Sequence, residues 1–460
     1  MNVKFDWRRA CVNAAMTMGL TAISASTLAD TSGADKSQPK TEPMSVLPLE
    51  DLRVFTKAFD HIRKGYVKDI DDRTLLEYAI RGMLDELDPH SSYLDASSFK
   101  DLQVNTTGEF GGLGIEVGME NGFVKVISPI DETPAARAGI EAGDLIVKLD
   151  GSTVKGLTLN DAVEKMRGPK GTKITVTVVR EGVDQPFDLV LTRDIVKVRS
   201  VRTEIKDQHY AYLRIAQFQV HTGQDLAKEF AKLSKKNADL HGVILDLRNN
   251  PGGVLTASVE VADHFLEDGL IVYTEGRVPD SNSRYQATPG DITNGLPLVV
   301  LINDGSASAS EIVAGALQDQ GRALVLGTQS FGKGSVQSVI QITNDKALKL
   351  TTALYYTPNG RSIQAEGITP DIEVERVRVT AVKNASGISE AGLVGHLENG
   401  NGGHENQDGI VETEAQKELH NTDSQLYEAI NILKGLHLFN QRNVQKVAAQ
   451  EAQKTPAGQP

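Results

Sequence analysis

The chain has one cysteine, Cys11, and one tryptophan among 460 residues. With a single thiol no internal disulfide can form, so the fold is held by packing and hydrogen bonds alone. No leucine stands at lipobox spacing before Cys11, which argues against a lipid anchor. Past the first twenty residues no run is apolar enough for a membrane span, which takes about 20 residues. Basic residues are in deficit, 48 against 61 acidic, for a net charge of −13. Binding to nucleic acid needs a basic face and is not expected. There is no H-E-x-x-H, so a zinc peptidase is disfavoured, and no G-x-S-x-G elbow. The ten histidines are scattered. No metal and no cofactor is expected.

What is present begins with an export pattern. Lys4, Arg8 and Arg9 precede the small apolar stretch from Ala10 to Leu20, and STLAD offers cleavage after Ala29. Residues 1–29 therefore read as a signal peptide, and the expected location is periplasmic. Residues 30–45 read as a linker, and 46–107 as a helical region. Its two apolar faces are Leu52, Phe55, Phe59 and Ile62, then Leu76, Ile80, Met83, Leu84 and Leu87. From 108 to 198 short alternating strands take over: GLGIEV, FVKVISP, DLIVKLDG, KITVTVVR and FDLVLTR. Helices are predicted over Pro134–Ala138 and Leu159–Arg167. Residues 199–376, with part of 46–107, alternate buried-type strands (AYLRIAQF, GVILDLR, PLVVLIN, ALVLGT) with helices over Gly223–Ser234, Leu255–Phe265 and Ala309–Gln318. Residues 377–413 read as a flexible linker. The region 414–460 carries a last helix with Leu426, Ile430 and Leu433 on one face. The fold class is thus α+β and multidomain: a helical N-terminal region, a β-rich module, a layered α/β core and a helical C-terminal tail.

Three stretches carry the chemistry. GTQSFGKGS (327–335) nearly reads as a phosphate loop, but Gly334 stands where a magnesium-binding hydroxyl is required. NDGSASASEIV (303–313) places Ser306, Ser308 and Ser310 where a strand gives way to a helix. Such serines cap helices, or they serve as nucleophiles where backbone N–H groups stabilise an oxyanion. A serine needs a base, and a buried lysine with a lowered pKa can replace histidine. Lys333, flanked by glycines after an apolar strand, fits that role, although a surface lysine fits the same context. LDLRNNPGG (245–253) is either a plain tight turn or a source of bare N–H groups. A histidine such as His264 is the alternative base.

LDLRNNPGG, GSASASEI and GTQSFGKGSVQ together resemble the carboxyl-terminal processing, or tail-specific, peptidases. LDPHSSYL (87–94) and LYYTPNGRSIQAEGITPDI (354–372) resemble further blocks of that family, so the likeness runs over roughly residues 50–375. The resemblance implies a crotonase- or Clp-like serine protease core with a Ser–Lys dyad of Ser308 and Lys333, 25 residues apart. Gln337, a helical turn or loop further on, would orient the amine. The oxyanion would meet the N–H of Gly252 or Gly253 and that of Ala309. The module over 108–198 would be a PDZ domain. A substrate's terminal carboxylate would meet the N–H groups of Gly112, Leu113 and Gly114, while Ile115, Ala162 and Met166 line an apolar pocket. The expected partners are protein or peptide substrates with exposed apolar C-termini. The helical N- and C-terminal regions are the places for self-association or for an adaptor. A silent PDZ scaffold, or a protease inactive until a partner binds, is the alternative.

Overall fold

The computed structural model describes residues 48–130, 132–377, 396–397, 419 and 422–454. The expected signal peptide (1–29) and linker (30–45) lie outside the described residues, as does nearly all of 377–413. The chain divides into two compact units, residues 1–75 and 76–460.

In the first unit, α1 (Leu49–Gly65) carries Glu50 and Asp51 in its first turn and Arg63 and Lys64 in its last. These charges complement the helix dipole. No residue of α1 is buried, so the stripe of Leu52, Phe55 and Ile62 has water for a neighbour. Helix α2 (Asp72–Asp85) runs from the first unit into the second. Along α2 only part of the expected face is covered: Leu84 is buried while Leu76 and Met83 are exposed.

The second unit opens with β1 (Ser92–Leu94) and α3 (Ala96–Thr107), which ends on Gly108 in the left-handed region. Strands β2 (Glu109–Gly112) and β9 (Asp194–Lys197) pair antiparallel where the β-rich module begins and ends. Between them lie β3 (Ile115–Glu120), β4 (Phe123–Pro129), α4 (Pro134–Arg137), β5 (Leu145–Leu149), β6 (Ser152–Thr153), α5 (Leu159–Met166), β7 (Lys173–Val179) and β8 (Phe187–Thr192). The sheet order is β3-β4-β5-β7-β8, with β6 on β5, so β3 is an edge strand. Its core is Val124, Val126, Ile146, Ala162, Ile174, Val176 and Val178, all nearly inaccessible.

The α/β layer follows: β10 (Val201–Lys206), β11 (Tyr210–Ile215), α6 (Thr222–Lys236), β12 (Gly242–Asp246), α7 (Leu255–Asp263), β13 (Leu270–Glu275), β14 (Ser283–Gln286), β15 (Leu298–Ile302), α8 (Ala309–Asp319), β16 (Leu324–Gly327), β17 (Ser335–Gln341), β18 (Ala347–Tyr356), β19 (Ile372–Glu373) and α9 (Ser424–Lys454). The main sheet runs β10-β11-β12-β15-β16-β19, parallel from β11 onward. Both faces are covered, which is why β12 and β15 are apolar along most of their length rather than alternating. Leu213, Val243, Leu245, Val300 and Ile302 face the cluster containing α6, α7 and α8. The residues between them, Tyr212, Ile244, Val299 and Leu301, meet Leu426, Ala429, Ile430 and Leu433 of α9. The C-terminal helix is thus docked on its own core. A second sheet, β1-β18-β13-β14 with β17 on β18, joins residues 92–94 to residues 347–349.

Candidate active site

Three loops leave the C-terminal ends of β12, β15 and β16, the side of a parallel sheet where ligands usually bind. They hold the three stretches singled out in the sequence.

The three serines take different positions. Ser306 and Ser310 are fully buried, and their hydroxyls donate to the carbonyls of Leu247 and Asn250, each at 2.9 Å. Ser308 is half-buried and caps α8 with φ 57° and ψ −112°, a strained backbone for a residue with a side chain. Its neighbour Ala307 donates its N–H to the Asn250 carbonyl at 3.0 Å. The buried serines therefore tie this loop to the Asn-Asn-Pro-Gly-Gly turn and leave Ser308 at its crest.

That turn crosses the start of α8. Gly252 has φ 99°, and a Cβ there would fall 2.7 Å from the Ala307 carbonyl oxygen, 2.8 Å from Ser308 Cβ and 3.0 Å from the Ala309 nitrogen. Only glycine fits. The Gly252 N–H is donated to Asn250 Oδ1 at 2.9 Å. Gly253, at φ 142°, lies against the Phe218 carbonyl.

The glycines beside Lys333 also have a steric cause. A Cβ at Gly334 would come within 2.4 Å of the Gln364 nitrogen, and one at Gly332 within 3.1 Å of the Glu366 nitrogen. The 364–367 segment lies across both.

The serine and lysine loops meet on Glu311, whose side chain is wholly buried. Oε2 accepts from the Ser308 N–H at 2.7 Å and the Lys333 N–H at 2.9 Å. Oε1 accepts from Ser330 Oγ at 2.6 Å and the Gly332 N–H at 2.7 Å. The sequence reading passed over Glu311. Its signal was there: Ser308-x-x-Glu311 has capping-box spacing. Tyr355, also buried, donates its hydroxyl to the Lys333 carbonyl. Burial pushes that hydroxyl well up and the Glu311 charge adds to it, while the adjacent Ser308 side chain pulls the other way.

Burial pushes the half-buried Lys333 amine below the usual lysine range, and the charge of Lys349 adds to the effect. Glu311 and Asp88 oppose it. Among the described residues no hydrogen bond joins the Lys333 amine to the Ser308 hydroxyl. Gln337 is on strand β17, not on a helical turn or loop. Its amide donates to Ser335 Oγ at 3.0 Å and Thr351 Oγ1 at 3.3 Å. Thr351 in turn donates to Asp88, which also accepts from the His90 and Ser91 N–H groups and Ser91 Oγ. Burial alone would raise the Asp88 carboxyl, but these donors hold it low. The block LDPHSSYL thus reaches the lysine side of the site. His264, the alternative base, has its Nε2 at 3.0 Å from the Gly223 carbonyl.

In the β-rich module, Gly112 ends β2 and Gly114 has φ 78°, with the Thr133 side chain where its Cβ would be. The Leu113 and Gly114 carbonyls accept from Ala135 and Ile130, each at 2.9 Å. Ile115 opens the edge strand β3 and packs on the module core. Ala162 and Met166 lie on the buried side of α5, with Ala162 wholly enclosed.

Residues 209–374 match peptidase family S41, residues 111–191 match the PDZ domain, and residues 11–98 match the N-terminal domain of the activating protease CtpB. The carboxy-terminal-processing protease of Bartonella bacilliformis is 50% identical over 389 residues, which cover 84% of this chain and 89% of the relative. This chain belongs to the carboxy-terminal processing proteases of peptidase family S41. The carboxyl-terminal-processing protease of Synechocystis sp. is 38% identical over 70% of this processing protease and 77% of its own length. The carboxy-terminal processing protease CtpA of Bacillus subtilis is 36% identical over 69% and 68%. The PDZ module and the peptidase core of this processing protease are the β-rich and α/β layers described above. Among the described residues, no helix of the processing protease is long and apolar enough to cross a membrane.

Proposed function

We propose that this processing protease is an exported, periplasmic serine endopeptidase that captures the C-terminal region of a protein through its PDZ domain and cuts it with a Ser308–Lys333 dyad. One observation carries the proposal: Ser308 and the Lys333 backbone are held by the same buried carboxylate of Glu311, at the start of α8 and against Gly252.

In the proposed reaction, Ser308 Oγ adds to the scissile carbonyl carbon and its proton passes to the neutral Lys333 amine. The resulting oxyanion is met by the N–H groups of Ala309 and Gly253. Gly253 is favoured over Gly252, whose N–H already serves Asn250. Collapse breaks the C–N bond, and the Lys333 ammonium gives its proton to the leaving nitrogen. Water then adds to the ester, its proton goes to Lys333, and Ser308 recovers its own on collapse. The Ser308–Lys333 bond forms when a peptide is in place, since catalytic hydrogen bonds often tighten only in the substrate complex. Gln337 then turns from Ser335 towards the amine. The peptide lies as an added strand on β3, with its carboxylate at Gly112–Gly114, Ile115 beside its last side chain, and Ala162 and Met166 forming the floor.

The open dyad favours a second reading, a protease that stays silent until a partner engages it. Two apolar surfaces suit such a partner or a second copy: Leu52, Phe55 and Ile62 on α1, and Leu436, Leu438 and Phe439 on α9.

The test is cleavage of an unfolded protein with an apolar C-terminus by the mature chain, by Ser308→Ala and by Lys333→Ala. Cutting by the parent alone is expected. Cutting that survives in either variant would overturn the dyad. Silence in all three, relieved by a periplasmic extract for the parent only, would select the partner-dependent form.

A further inference from the structure

We propose that this chain carries a metal site remote from the serine loop, in which His209, Asp239 and His241 hold one borderline transition-metal ion such as Zn2+. The placement follows from the sheet. His209 directly precedes β11 and His241 directly precedes β12, and these strands pair in parallel with Tyr210 opposite Gly242. The His241 N–H donates to the His209 carbonyl at 2.9 Å, so the two side chains leave the sheet edge side by side. Their rings stack at 4.3 Å with 9° between planes.

Asp239 closes the group. Its Oδ2 lies 3.3 Å from His209 Nδ1, and its Oδ1 lies 3.2 Å from His241 Nε2. A tetrahedral zinc with ligands at about 2.0–2.1 Å separates neighbouring ligand atoms by about 3.3–3.4 Å. The two separations have that length but run to different oxygens of Asp239, and His209 Nδ1 also lies 3.1 Å from the Asp239 carbonyl. A shared ion would take the place of these hydrogen bonds once the exposed carboxylate and the rings turn towards it. One potential ligand atom from each of the three residues lies within 4.8 Å of the other two. Two imidazoles and a carboxylate suit zinc, nickel or copper rather than magnesium or calcium. Asp239 is exposed and both histidines are partly so, which leaves a path for the ion and a place for water as fourth ligand.

The site faces away from the chemistry. It stands at the N-terminal ends of β11 and β12, whereas the serine loop leaves C-terminal strand ends, and five residues of strand span about 17 Å. Its third ring neighbour is His437 of α9, stacked on His241 at 3.7 Å and bonded through Nε2 to Gln441 at 2.8 Å. Lys434 of the same helix pairs with Asp207 at 2.6 Å. An ion that fixes the His241 ring thereby fixes the surface on which α9 rests.

The decisive experiment is calorimetric titration of ZnCl2 into tag-free, chelator-stripped full chain, with Tm measured alongside. The expected result is one equivalent bound and a higher Tm with zinc. His209→Ala and His241→Ala should each weaken binding by about tenfold or more and lose the Tm shift. Asp239→Asn, at an exposed position that folding tolerates, should weaken binding too. His221→Ala, outside the group, should bind as the parent does. Absence of binding by the parent, or equal binding by the double variant His209→Ala/His241→Ala, would overturn the site and leave the three residues as a hydrogen-bonded cluster.

Discussion

At the scale of single residues, the three serines of one short loop should separate stability from activity. Ser306→Ala and Ser310→Ala each remove one buried hydrogen bond to a carbonyl, while the Leu247 and Asn250 carbonyls keep a backbone donor each, so the cost is about 1 kcal/mol. They should lower Tm while retaining turnover. Ser308→Ala should do the reverse: Tm is kept and turnover falls by at least about a thousandfold. Glu311→Gln places an amide NH2 among four donors, so at least one is left facing another donor. We expect a loss of about 2 kcal/mol or more, together with a drop in kcat larger than any change in KM. Lys333 gives a pH signature. Its amine is depressed by burial, then by Lys349, so cleavage should rise with pH through an apparent pKa below the ordinary 10.5. The stability sign follows. Between the folded pKa and 10.5 the unfolded chain holds more protons, so stability rises with pH there and the buried charge is a burden below it. Lys333→Met should therefore abolish cleavage without lowering Tm at pH 7, and the difference from the parent should narrow towards pH 10.

At the scale of elements, the buried strands and their helices were legible because they carry runs of Val, Ile and Leu punctuated by turn residues. Expected and observed starts coincide for α4, α5, α7 and α8, and no other bound of α4 to α8 differs by more than two residues. Helix α3 was not legible: it has no buried residue, so no apolar period announces it. Nor was the β17–β18 hairpin, since ALKLTTALYY is rich in helix formers and becomes a strand through pairing with β1, β13 and β17. The loops show the same divide. Local sequence placed Ser308 and Lys333 after strands, but choosing among three serines needed either the family resemblance or the burial of two of them. The sharing of Glu311 needed the third dimension. In the PDZ module, Gly114→Ala combines an unfavourable φ with a Cβ only 2.3 Å from Thr133 Cβ. If the 112–114 loop receives the substrate carboxylate, KM should rise severalfold with kcat little changed. Steady-state kinetics on a peptide with a free C-terminus, compared with its amide, would show this.

At the scale of the whole molecule, the sheet face under α9 makes the C-terminal helix part of the peptidase core. Ending the chain before Ser424 would bare Tyr212, Ile244, Val299 and Leu301 and take away the burial of Leu426, Ile430 and Leu433, about 2 kcal/mol for each. Truncation should lower Tm by on the order of 10 °C, measurable by calorimetry. The same deletion leaves Asp423 at a free chain end and strips Arg248 of Gln425, a contact of 3.1 Å just before the Asn-Asn-Pro-Gly-Gly turn, so activity should fall with it. The pairing of β2 with β9 has a different reach. The chain from Ile115 to Thr192 enters and leaves through this ladder, with Glu109 opposite Lys197, and ion pairs tie Lys100 and Asp101 of α3 to Glu164 and Arg167 of the module. The recognition module is in effect an insertion whose two ends emerge as neighbours, and domain insertions are best tolerated with such ends. A foreign peptide-binding domain with adjacent termini could be grafted onto the ladder, giving the same scissors a different address label.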